Sequence, residues 1–185
     1  MLMKRFLKLL KSPYLAILFY YLALFPSRIY RDSTEMMQMM RDGKTTDQWT
    51  ATYFRFSQVI SVNGKYPFLL SLVGLLTLYW ATIFLVNRFE LDNKLKKRVI
   101  LFFSWSPFFG VFGMTITHEV FYVSGALILI SFIISPKKLD SFESKFTIAY
   151  AVLLITMEFL GLILLFFFLS IMMKRWNKFL VSMGL

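Results

Sequence analysis

Pro67-Phe-Leu-Leu-Ser-Leu-Val-Gly-Leu-Leu-Thr-Leu-Tyr-Trp-Ala-Thr-Ile-Phe-Leu-Val-Asn-Arg88-Phe89 holds no charged side chain before Arg88 and is apolar on every face. An α-helix needs about 20 such residues to cross the hydrocarbon layer of a bilayer. Within that layer only a helix or a closed barrel satisfies every backbone N–H and C=O. The block lacks the strict in/out alternation and roughly ten-residue spacing of a membrane barrel strand, so it reads as a transmembrane helix.

Further blocks resemble it. Of the 185 residues 58% are hydrophobic, and they are gathered into long runs instead of the striped faces of a soluble core. The spacing predicts spans at about 13–30, 66–89, 98–115, 119–135 and 146–173, with one large loop at 31–65. The fold class expected is an all-α polytopic bundle forming a single membrane domain. The loop carries Trp49, Tyr53, Phe54 and Phe56, which suit a helix lying in the headgroup zone, and Thr45 and Gln48 have capping-box spacing. Pro107 is expected to kink the third span, since proline removes one helical hydrogen bond.

The formal charge of +11 would suggest nucleic acid in a soluble protein. Here the cations sit at the ends of apolar blocks, the pattern of anchors that face the cytoplasm and contact anionic lipid, so the expected surroundings are the lipid bilayer and no nucleic acid. Lys4, Arg5, Lys8 and Lys11 precede the first block, which reads as a retained signal anchor. Lys94, Lys96, Lys97 and Arg98 precede the third, and Lys137, Lys138 and Lys145 the fifth. Alternation then puts the amino terminus inside and the 31–65 loop outside, together with the His118 turn. Lys174, Arg175 and Lys178 disagree, because five spans leave them outside. They would lie along the outer interface, or the long fifth block re-enters, or the chain once continued further.

Chemistry has few carriers. With no Cys and one His there is no thiolate nucleophile and no site built from Cys or several His. Carboxylates suit Mg²⁺ or Mn²⁺, so a divalent cation is an admissible cofactor, although the residues show no complete ligand set. On the outer side the candidates are Asp32 from the loop and His118 with Glu119 from the tight turn before the fourth span. A carboxylate at such a boundary can serve as general base, and a histidine exchanges protons near neutrality. Each also has a purely structural reading. Asp32 with Ser33 and Glu35 would cap a loop helix, and His118-Glu119 would start the fourth helix, where negative charge is favoured. Glu158 lies inside the expected fifth span, where a carboxyl is costly, and marks either a functional group or a contact with another membrane protein. Met36, Met37, Met39 and Met40 read as an interfacial face in preference to a metal-binding box. Asp42-Gly43-Lys44 reads as a turn.

Three segments in order resemble bacterial GT-C-type membrane glycosyltransferases over roughly residues 13–135. They are Phe25-Pro26-Ser-Arg-Ile-Tyr-Arg-Asp32-Ser33 with Gln38, Asn63-Gly64-Lys65-Tyr66-Pro67-Phe68, and the run from Ser106-Pro107 to Thr117-His118-Glu119-Val-Phe121. This chain has His-Glu where the family has Lys-Asp, and Tyr66 where it has His. The resemblance implies transfer of a sugar from a polyprenyl-phosphate donor at the outer membrane face, with Asp32 as base and His118 and Glu119 bordering the site. Those enzymes have roughly twice as many spans, which implies a shortened relative, a subunit needing a partner, or a remnant without activity. The alternative is a non-enzymatic multi-pass subunit that binds another membrane protein through Glu158.

Overall fold

A computed structural model describes residues 12–25, 31–44, 49–135 and 142–182. Among them it is all-helical, without strands. The helices are α1 Pro13–Ala23, α2 Arg31–Arg41, α3 Ala51–Ile60, α4 Pro67–Arg88, α5 Asn93–Trp105, α6 Pro107–Gly113, α7 His118–Ile134, α8 Phe142–Ile155 and α9 Gly161–Ser182.

Local chemistry sets the starts. Proline opens α1, α4 and α6, where its fixed φ suits the first turn and its missing N–H costs nothing. Asp92 caps α5, its carboxylate accepting from the Lys94 and Leu95 N–H groups at 2.6 and 2.8 Å. Thr50 caps α3 by accepting from the Tyr53 N–H at 3.2 Å.

Helix α4 is the axis of the bundle. It packs most extensively on α7, which packs in turn on α8, while α1, α5 and α6 contact α4 as well. Between α4, α7 and α8 the core is built from Leu70, Ala81, Phe121, Ile128, Phe132, Ala151 and Leu154. Small residues let α7 approach closely. Ser124 and Ser131 are buried and return their hydroxyls to the Val120 and Ile128 carbonyls of their own helix, at 2.7 and 2.6 Å. At the edge of the bundle α9 leaves Leu162, Ile163, Phe166 and Phe167 more than half exposed and buries Phe168. By length and composition α4 is able to cross a membrane, while α1, α7 and the 161–171 part of α9 are apolar but shorter.

Several expected boundaries are corrected. The first block is helical only over Pro13–Ala23 among the described residues, because the turn at Leu24 ends it well before residue 30. The third span is broken, not kinked. Pro107 disfavours helical geometry in the residue before it, so Ser106 stands extended at ψ 121° and α5 stops at Trp105. The Trp105 carbonyl, left open at that helix end, accepts the Tyr20 hydroxyl at 2.8 Å.

The fifth block is also two helices. Between α8 and α9 a five-residue turn bonds Met157 N–H to Leu154, Glu158 N–H to Ile155 and Gly161 N–H to Glu158, at 3.2, 3.2 and 3.0 Å. The fold-back is so tight that a Cβ on Gly161 would stand 1.9 Å from the Ile155 carbonyl oxygen, so only glycine fits. Glu158 therefore sits in a turn and not inside a helix.

The 31–65 loop contains α2 and α3 as expected of its helices, but their apolar residues do not form an exposed interfacial face. Met36, Met37, Met40, Trp49, Tyr53 and Phe54 are buried in the main core cluster. The Asp42-Gly43-Lys44 turn is present, with Gly43 at φ +68°. The Thr45/Gln48 capping box, the amino-terminal cations and Lys137 and Lys138 fall outside the described residues, as do the side chains of Lys174, Arg175 and Lys178.

Candidate functional site

Asp32 reaches its place through a strained turn. After α3 the chain runs through Val62, Asn63 and Gly64, all left-handed at φ +53°, +55° and +75°. For a β-branched residue such as Val62 this is costly, and it persists only where neighbours fix it. The Ser61 hydroxyl donates to the Ser57 carbonyl at 2.5 Å and accepts from the Gly64 N–H at 2.9 Å. Gly64 in turn lies against α2. A Cβ there would meet the Met37 carbonyl oxygen at 2.6 Å, and Arg41 Nε donates to the Gly64 carbonyl at 3.0 Å.

With α2 clamped at one end, its first turn is tethered at the other. The Ser33 hydroxyl, buried, donates to the Ile116 carbonyl in the turn before α7. Asp32 beside it lies in the first turn of the helix and points out of the core, exposed. From the third side Thr50 donates its hydroxyl to the Met157 carbonyl at 2.9 Å, so α3 holds the α8–α9 turn.

These tethers bring distant residues around one cavity of about 830 Å³. Asp32 and Met36 of α2, Trp49 and Tyr53, Phe108 and Phe112 of α6, and Thr115, Thr117, His118 and Glu119 all line it. The three sequence candidates thus share one wall. Among the described lining residues there are two carboxylates and no Lys or Arg.

Glu158 is the member that the sequence placed elsewhere. Its carboxylate meets His118 Nε2 directly, whereas Glu119, the neighbour in sequence, stays 3.9 Å from the same nitrogen. Exposure sorts the two acids in the same way: the Glu158 side chain is 17% exposed and that of Glu119 51%. Glu158 is therefore the partner that fixes the imidazole, leaving Glu119 turned toward the cavity and solvent. The signals for this were Gly161 and Glu158 itself, but no spacing rule places a turn there without a proline.

Tyr53 completes the wall. Its ring meets His118 edge-on at 5.5 Å between centroids. Burial pushes its hydroxyl above the usual tyrosine value, the nearby Ser57 hydroxyl pulls it down, and the charge of Glu119 adds to the rise. Both the Tyr53 and Ser57 hydroxyls are buried without a hydrogen-bond partner among the described residues. Tyr53 thus stays a neutral phenol in the cavity wall. Among the described residues no three His, Asp or Glu side chains converge as a metal site.

No family model, curated protein or solved structure matches this chain.

Proposed function

We propose that the chain is a polytopic membrane protein, a shortened relative of GT-C-type glycosyltransferases, that handles a lipid-linked sugar in the cavity at the outer side of the membrane. The observation that carries this reading is the convergence of Asp32, His118 and Glu119 on one cavity of about 830 Å³, although Asp32 and His118 stand 86 positions apart in the chain. Supporting the membrane setting are the apolar length of α4 and the exposed apolar faces of α9. The cell membrane is the expected location, with the amino terminus inside. The turn at 156–160 allows α9 to re-enter, which would keep the carboxyl-terminal cations on the inner side.

The lining suggests which part of the ligand enters. Carboxylates and aromatic rings together suit sugar hydroxyls and the apolar faces of a sugar ring. Asp32 would accept the proton of an acceptor hydroxyl as its oxygen bonds to the anomeric carbon. The bond from that carbon to the donor phosphate oxygen breaks in the same displacement, and polyprenyl phosphate leaves. His118, held by Glu158, and Glu119 would border the lipid-linked donor. A divalent cation would offset the phosphate charge, and no step here depends on one.

The test is transfer of labelled sugar from a polyprenyl-phosphate donor by membranes containing the chain with its co-expressed membrane neighbours. Asp32→Asn keeps the shape and removes the base, and should lower the rate by about 100-fold or more. An unchanged rate would remove Asp32 from the reaction. The alternative is a non-enzymatic subunit binding another membrane protein. For that reading Glu158 was the expected contact, and it is engaged within the chain by His118.

A further inference from the structure

We infer that the bundle binds one anionic phospholipid of the bilayer at its basic end, with an acyl chain in a dry groove separate from the sugar cavity. This rests on the membrane setting proposed above.

The groove, about 700 Å³, lies between α4, α5, α6 and α7. Leu85 and Val86 line it from α4, Val99 and Phe103 from α5, and Val123 and Leu127 from α7. The hydroxyl of Thr82, its one polar side chain, is turned back to the Leu78 carbonyl at 2.9 Å. A cavity with no free polar group does not hold water well, but it accepts hydrocarbon. From Leu78 to Val86 it follows α4 for about 12 Å, at roughly 1.5 Å per residue.

Its two ends differ in charge. At one end Phe108 and Phe112, stacked with planes 2° apart, line both the groove and the cavity that holds Asp32 and Glu119. At the other end Phe89 and Leu91 line the groove beside the start of α5. There Lys96 donates to the Asn87 carbonyl at 3.3 Å, joining α5 to the end of α4, and Lys94, Lys97 and Arg98 are exposed around the same turns. Among the described residues next to these turns the acids are Glu90 and Asp92, and Asp92 is occupied in capping α5. An anionic head on an amphiphile in the groove is therefore drawn to the basic end. A phosphodiester head on an acyl chain fits both features at once.

The full chain in detergent micelles, offered equal amounts of dioleoyl phosphatidylglycerol and dioleoyl phosphatidylcholine, tests this by native mass spectrometry. One phosphatidylglycerol per chain should survive removal of the micelle, at about tenfold excess over phosphatidylcholine. Leu127→Trp fills the groove and should remove both adducts. If circular dichroism shows that variant unfolded, Val123→Phe makes the same test. Replacing Lys94, Lys97 and Arg98 together by glutamine should keep an adduct but abolish the preference. Equal retention of the two lipids by the native chain, or phosphatidylglycerol retained by a folded groove-filled variant, would overturn the inference. Loss of the native chain from carbonate-washed membranes would instead overturn the membrane setting itself.

Discussion

Glu158→Ala is expected to destabilise the chain by about 2 kcal/mol, and Glu119→Ala by well under about 1 kcal/mol, although Glu119 is the acid next to His118 in sequence. The difference follows from geometry. Glu158 meets His118 Nε2 directly and is mostly shielded, so removing it leaves the imidazole facing a partly buried gap. Glu119 stands 3.9 Å away and half exposed, where water replaces it. The figure for Glu158 is set below the 3–5 kcal/mol typical of fully buried pairs because both its members keep some solvent contact. For a chain of this size about 2 kcal/mol lowers the unfolding temperature by roughly 4–8 °C. Thermal unfolding in detergent measures it. If Glu119→Ala costs as much as Glu158→Ala, the pairing that orients His118 is wrong.

Gly161→Ala should be more damaging still, by about 3 kcal/mol or more. The added Cβ would stand 1.9 Å from the Ile155 carbonyl oxygen, a backbone atom that no rotamer change moves aside. Relief requires opening the turn that presents Glu158, so the substitution should also release His118 and widen the cavity wall. Gly43→Ala is the control. Its φ of +68° makes alanine unfavourable, but a Cβ there meets nothing within 4 Å, so the cost is only about 1 kcal/mol. A Gly161→Ala chain as stable as the Gly43→Ala chain would show that α8 and α9 join with a wider turn.

The helical blocks were legible because hydropathy and proline report local free energies. Pro13, Pro67 and Pro107 each open a helix, and the uncharged run from Pro67 defines α4 nearly to the residue. The expected alternation of spans put Asp32, His118 and Glu119 on one side, and all three line one cavity. What escaped depended on contacts between distant parts. Apolar side chains of α2 and α3 look alike whether they will lie against lipid or against protein, so Met36 and Tyr53 read as interfacial although they are buried. The turn at Glu158 has no proline to announce it, and a lone glycine in an apolar run is common in helices of membrane proteins. Pairing of His118 with Glu158 is set by that turn, which no local pattern announces.

The proposed orientation puts the cavity on the outer side of a membrane and the start of α5 inside. Because the native chain has no cysteine, single substitutions report this cleanly. Thr117→Cys in the cavity wall and Lys97→Cys at the basic end can each be treated with a membrane-impermeant maleimide in intact cells. In that orientation the Thr117→Cys chain is labelled in intact cells and the Lys97→Cys chain only after the membrane is opened. Labelling of the Lys97→Cys chain in intact cells, with the Thr117→Cys chain protected until opening, would contradict it.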